Sequence, residues 1–569
     1  MLFLKQAILT LLLYCLVFLP LGAKDKNCLP KYSIQLLEEA EAHVQNASYE
    51  KALYLYDMLL KSNPTCPEIP LKLAEVNYMT NNPAQVVKWY QKAMELNGQL
   101  APVEVYRFAL CMVTLGHYDK AARYLEKYRQ VNPEDPRAEQ FLASINNLHE
   151  HYEDSLYFAI RPMTFNTMAS DISPVLHNNS LYFLSTRNSN QHTFKERYYD
   201  IFVVDNISDT NEIKPKKYKI GHSEKHQEGQ MIFDKAHNKV IITRSDKTQG
   251  KEKLVSLSLY EACLHGDSTY GELSRVHFPL TNSAQPAISA NGTALVFVSD
   301  DASGYGGADL YRSQWANGQW QMPQNMGAGL NTPGNEMFPF LLNDSILFFA
   351  SNGHGGLGGL DIFRVNLNQQ PYKPKNLGYP INSNHDDFGI LLDSTGYAGY
   401  FSSNRPGGKG SDDIYAFKVI DLEIKGSVAA MQQDTAGAGK AKIIVSKEHG
   451  RADTVFTDTL GRFNIRLNPF EDVKMVIEKE NFKNVEHTYT AKQLRQVESL
   501  DIAMKEKETV PVPVRAKKAK KGFLNISIDI FSDKGTEDTL ARHNVKQDSY
   551  KLTIPVAGAP GVKIDVVEQ

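Results

Sequence analysis

The chain of 569 residues has room for three to five domains at roughly 150 residues each, which excludes a single-domain protein. Hydrophobic residues at 42%, charged residues at 22% and prominent Tyr (28) and Phe (26) exclude a disordered or collagenous chain and a bundle of membrane spans. A net charge of −3, from 62 basic and 65 acidic residues, lacks the basic field of a nucleic-acid binder, so no nucleic acid is expected as a partner.

At the N-terminus, Lys5 precedes an apolar run from Ala7 to Leu19, Pro20 breaks it, and Ala23 supplies a small residue before Lys24. This pattern predicts a secretory signal peptide over 1–23, cleaved between Ala23 and Lys24. The run is too short to serve as a transmembrane segment, which needs roughly 20 apolar residues. Cys15 and Cys28 lack the small preceding residues of a lipidation site. Outside the reducing cytoplasm a Cys28–Cys66 disulfide is permitted, and isolated thiols are the alternative.

Tyr49, Ala52, Tyr56 and Pro64 share their spacing with Tyr118, Ala121, Leu125 and Pro133, and Gly116 lies two residues before Tyr118. The period resembles the tetratricopeptide repeat and implies an all-α solenoid over 31–158 that binds an extended segment of another protein. From 160 to 420 the pattern changes to short strands and Gly-rich turns, repeated five times with a closing Asp-Ile/Leu-Phe/Tyr at Asp200, Asp309, Asp361 and Asp413. The repeats resemble those of TolB-like, WD40-like propellers and imply an all-β propeller of five blades, with a degenerate sixth left open. The turns at 304–309, 355–361 and 407–413 are followed by strands, not helices, so they read as tight turns whose Asp bonds loop amides and not as phosphate cradles.

Over 421–505 alternating residues such as Phe463/Ile465/Leu467, with the turn Thr457-Asp458-Thr459-Leu460-Gly461-Arg462, predict a small β-sandwich. It resembles the carboxypeptidase regulatory-like domain. Residues 506–521 begin Pro-rich and end in a Lys cluster, which reads as a linker, and 522–569 reads as a β-rich segment. No G-x-S-x-G or H-E-x-x-H motif occurs, so no catalytic residue, metal site or cofactor is expected.

The module order resembles the PorE-like periplasmic proteins of the type IX secretion system. That resemblance implies a non-catalytic scaffold in a Bacteroidota-type periplasm, associated with the outer membrane through envelope or secretion-system proteins. In that family an OmpA-like domain grips peptidoglycan, and 522–569 is too short for one, which puts peptidoglycan binding in doubt. A TolB-like envelope-integrity or signalling protein, receiving a partner peptide in the propeller's central opening, is the alternative. A glycan- or peptide-processing enzyme is a third reading.

Overall fold

The computed structural model describes residues 28–46, 48–187, 199–207, 214–220, 228–246, 256–265, 269–430, 439–447 and 452–507, and the backbone of 515–518, 523–531 and 537–546. The expected cleavage site, Ala23 and Lys24, lies outside them. The chain divides into two compact units, Met1–Ile420 and Asp421–Gln569.

The first unit opens with helices α1 (Lys31–Gln45), α2 (Tyr49–Ser62), α3 (Glu68–Met79), α4 (Pro83–Glu95), α5 (Pro102–Thr114), α6 (Tyr118–Val131) and α7 (Pro136–Asn146). Their boundaries follow from local chemistry. Pro83, Pro102 and Pro136 stand at helix starts, where a missing N–H costs nothing, and the Asp135 side chain accepts from the Arg137 amide at 3.1 Å. Tyr49, Ala52, Tyr56 and Leu59 share the buried stripe of α2, as Ala121, Leu125 and Tyr128 do on α6. Pro64 and Pro133 are exposed behind these helices.

Cys28 and Cys66 form a disulfide with Cα atoms 5.3 Å apart, joining the chain before α1 to the turn before α3. Closing a loop of 38 residues stabilises the first helical pair by about 3 kcal/mol. Reduction is expected to lower the melting temperature of the first unit, and an unchanged melt under reductant would contradict this.

Five antiparallel sheets follow. Blade 1 comprises β2 (Asp171–His177), β3 (Ser180–Ser185), β4 (Asp200–Val204) and β5 (Lys216–Lys217). Blade 2 comprises β6 (Glu228–Asp234), β7 (Lys239–Ser245) and β8 (Leu257–His265), with β9 (Thr269–Tyr270) and β10 (Ser274–Arg275) on β8. Blade 3 holds β11 (Ala284–Ile288), β12 (Ala294–Ser299), β13 (Asp309–Ala316), β14 (Gln319–Trp320) and β15 (Gln324–Asn325). Blade 4 holds β16 (Glu336–Leu342), β17 (Ile346–Ser351), β18 (Asp361–Asn366) and β19 (Lys375–Asn376). Blade 5 runs β20 (Asp387–Leu392), β21 (Ala398–Ser403), β22 (Asp413–Val419), and its outermost strand is β1 (Phe158–Pro162), which arrives from the helical side.

The inner strands meet in the cyclic order β2, β6, β11, β16, β20 and back to β2, so the ring closes on five blades without a sixth. Pairing β1 with β22 ties the start of the β region to its end and closes the ring.

The expected fold class, an all-α tetratricopeptide solenoid standing ahead of an all-β propeller, is corrected by this structure. The described chain is mostly β, its helices form only a short N-terminal region, and they belong to the same compact unit as the blades. Helical spacing in the sequence reports packing within a helix pair; it carries no signal for the polar turns that join this region to the sheets.

In the second unit, β23 (Leu422–Ala430), β24 (Lys442–Lys447), β25 (Asp453–Phe456), β26 (Arg462–Leu467), β27 (Val473–Glu478), β28 (Val485–Tyr489) and β29 (Ser499–Met504) form two sheets, ordered β26-β23-β29 and β25-β24-β27-β28. One apolar core, including Val428, Ile443, Phe463, Met475 and Ile502, fills the space between them. The Asp458 carboxylate accepts from the Leu460 and Arg462 amides, each at 2.8 Å, which sets the turn into β26. Beyond this, β30 (Arg515–Lys518), β31 (Phe523–Phe531) and β32 (Glu537–Lys546) make a three-stranded sheet. The linker expected over 506–521 therefore contains a strand.

Candidate interaction surface

Each Gly-rich turn ends in an Asp that folds back on it. Asp309 accepts from the Tyr305 and Gly306 amides at 2.5 and 3.2 Å, Asp361 from Leu357 and Gly358 at 2.5 and 3.2 Å, and Asp413 from Lys409 and Gly410 at 2.7 and 2.9 Å. Asn325 and Asn376 donate to Asp309 and Asp361 as well. Burial holds all three carboxyls above the usual range, and Asp361, the deepest, well above it. Asp200 instead meets Lys217 at 2.7 Å, and the turn before it lies outside the described residues.

The glycines answer to a close approach between blades. A Cβ at Gly306, Gly358 or Gly410 would overlap backbone carbonyls of the segment leading into the next blade, at Thr332, at Ser383 and His385, and at Ala169. The last of these is the joint between blades 5 and 1.

A second device recurs in those lead-in segments and was missed in the sequence reading. The Asn331 side chain pairs with both backbone groups of Leu310, Asn382 with those of Ile362, and Asn166 with those of Ile414. The next residue, Thr332, Ser383 or Thr167, donates its amide and hydroxyl to the carboxylate four residues later, Glu336, Asp387 or Asp171. The signal available was the repeated Asn-Thr/Ser-x-x-x-Glu/Asp. Arg187 meets Asp171 at 2.7 Å and Arg405 meets Asp387, whereas Glu336 has Ser351 in place of an arginine.

Without a cation, burial pushes Glu336 up to about 8. Its folded state therefore retains a proton that the unfolded state releases near pH 4.5, so the stability it contributes is full at acid pH and is lost as pH rises towards 8. Glu336→Gln copies the protonated shape. The variant is expected to melt like the wild type near pH 5 and to resist the loss of about 3 kcal/mol that the wild type suffers by pH 8. Parallel pH–melting curves for the two proteins would contradict this.

These turns face the helical region. Asn81 donates to Asp386 at 2.8 Å, Asn384 to the Thr114 carbonyl at 2.7 Å, the Tyr118 hydroxyl to the Leu357 carbonyl at 3.0 Å, and Arg137 to the Pro333 carbonyl at 3.2 Å. The Tyr379 amide donates to the His151 carbonyl at 2.7 Å, and the Tyr379 and Tyr152 rings stack at 5.1 Å. Gly355, at φ +76°, lies directly under α7, where a Cβ would sit 2.6 Å from the Gln140 carbonyl oxygen. Tyr118 and Gly116, named from the helical period, thus stand at this junction, Gly116 at φ +73°.

Three histidines lie on this face. Burial holds His151, His354 and His385 below the usual imidazole range. A lowered folded-state value gives stability that is present above the unfolded value near 6.5 and is lost as pH falls through the folded one. Docking is therefore expected to weaken below about pH 6, measurable as rising hydrogen exchange in turns 353–359 and 376–386. Exchange independent of pH from 7 to 5, after correction for its intrinsic rate, would contradict this.

Four of the five inner strands are buried where they line the propeller axis. Asp171–Pro174, Gln285–Ala287, Glu336–Pro339 and Asp387–Leu392 of the inner strands are buried. Every inner strand carries a register shift. The freed amides of Ser173, Gln285 and Phe338 donate to Ser402, Thr243 and Gln285 side chains at 3.0, 2.9 and 2.8 Å. Phe338 and Phe388 pack at 4.7 Å.

Among the described residues no group of three or more His, Cys, Asp or Glu side chains is placed to hold a metal ion, and no helix is long and apolar enough to cross a membrane. No protein-family model matches the chain, and neither does any curated protein. Similar solved structures include a puromycin-hydrolysing peptidase of Mycobacterium tuberculosis, at 9% identity and a TM-score of 0.28, over 64% of this chain and 59% of that one. TolB from Acinetobacter baumannii is 14% identical with a TM-score of 0.27, over 61% of this chain and 70% of that one. An α-L-arabinofuranosidase from Lactobacillus brevis is 10% identical with a TM-score of 0.30, over 45% of this chain and 91% of that one. The chain thus spans less than two thirds of the peptidase it resembles.

Proposed function

We propose that this protein is a non-catalytic scaffold of the periplasm that holds other envelope proteins at the outer membrane, as a component of or accessory to type IX secretion machinery. The observation that carries the non-catalytic part is the use of the perturbed acids. Displaced carboxyl groups are often catalytic, but Asp309, Asp361, Asp413, Glu336 and Asp387 each accept from turn amides, at positions that recur from blade to blade. A group that recurs in three successive joints serves the joints. The order of patterns in the sequence supports the secretion setting, and association through protein partners supplies a place at the membrane.

Partners would engage the exposed faces of the helices and blades. Affinity isolation of the full chain from native envelopes tests the proposal. Recovery of outer-membrane secretion components is expected; recovery of none, or turnover of glycans or peptides abolished by one substitution, would overturn it.

A further inference from the structure

Blade 5 departs from its neighbours at the end of its strands away from the Gly-rich turn. Four residues before the serine that ends the second strand, the other blades place Leu181, Ile241, Leu295 and Leu347, all fully buried. Blade 5 has Gly399 there. Across from the adjacent position the other blades carry Val203, Tyr260, Arg312 and Arg364, where blade 5 has Ala416. At Gly399 a Cβ would overlap the Leu391 backbone, so β21 closes on β20, and on the face of Tyr400 the truncation at Ala416 leaves a cleft of about 350 Å³ towards Leu176 of blade 1.

The register fixes its lining. Leu391, Tyr400, Ala416 and Arg161 lie side by side across β20, β21, β22 and β1. Arg161 and Lys418 are exposed at the rim, and among the described residues neither has an ion-pair partner. The acid in the lining, Asp393, already accepts from the Thr395 and Gly396 amides. The cleft is thus an apolar slot of ligand-binding size with a cationic rim.

We infer that the cleft between blades 5 and 1 binds a monoanionic amphiphile, a medium-length acyl chain lying on Leu176, Leu391 and Ala416 with its carboxylate on Arg161. The guanidinium fork matches a carboxylate in geometry and charge, and the Tyr400 hydroxyl beside it can donate to the same group. The cleft sits at the opposite end of the blade's strands from the helical junction, so it can be filled without disturbing docking.

Isothermal titration of the full chain with sodium decanoate below its micellar range, with decanol as the uncharged control, tests this. One saturable decanoate site is expected, with decanol binding about tenfold more weakly for want of the charge. Arg161→Gln should weaken decanoate by about the same factor without changing the melting temperature. Ala416→Arg, which installs the side chain of blades 3 and 4, should abolish binding. No saturable decanoate binding, equal binding of decanol, or undiminished binding by Arg161→Gln would each overturn the inference. Should Ala416→Arg fail to fold, Arg161→Gln decides alone.

Discussion

Asp361→Ala is expected to cost on the order of 5 kcal/mol and to unfold blade 4 at physiological temperature. The carboxyl is buried and accepts from the Leu357 amide, the Gly358 amide and the Asn376 side chain. Alanine leaves these donors without an acceptor in a turn that water cannot reach, and each orphan costs about 1–3 kcal/mol. The same turn carries the Leu357 carbonyl that receives Tyr118, so the helical junction should loosen with it. Asp361→Asn, which keeps an acceptor, should recover part of the loss. Chemical denaturation checks both variants, and a shift below about 1 kcal/mol for Asp361→Ala would show that the turn is held by other means.

Gly355→Ala is expected to separate the helical region from the propeller. At φ +76° alanine is strained, and its methyl group would press on the Gln140 carbonyl and the Ser144 hydroxyl of α7. Strain and overlap together cost about 4 kcal/mol. The junction has few hydrogen bonds, each worth about 1 kcal/mol net, so this is enough to undo it. Calorimetry should then resolve a helical transition below the propeller transition, where the wild type should show the two joined. An unsplit transition in the variant would contradict the prediction. Envelope partners that need the docked form should be lost from affinity isolation with Gly355→Ala while those of the propeller remain.

Much of the local structure was legible in the sequence because its causes are local. Tyr49, Ala52 and Tyr56 recur at helical spacing because they share one buried stripe, and the Asp of each blade recurs because every turn of that shape needs an acceptor at its end. The fold class was misread at the point where local pattern stops. The polar side chains of Asn81, Tyr118 and Arg137 look like surface residues in sequence, and their partners, Asp386, Leu357 and Pro333, lie hundreds of positions away. No spacing announces such a contact. The glycines of 355–361 stand in a turn, and within it Gly355 serves a docked helix and Gly358 serves the next blade. The cleft at Ala416 was hidden for another reason: it appears only when the second and third strands of the five blades are paired residue for residue.

Native-state hydrogen exchange on the full chain tests the central claim, that the helical region and the propeller are one unit joined through the Gly-rich face. Amides of turns 353–359 and 376–386 should be protected as strongly as those of β17 and β18 in the wild type and should lose that protection in Gly355→Ala, with β17 and β18 unchanged. Turns that exchange quickly in the wild type, or that keep the same protection in the variant, would contradict it.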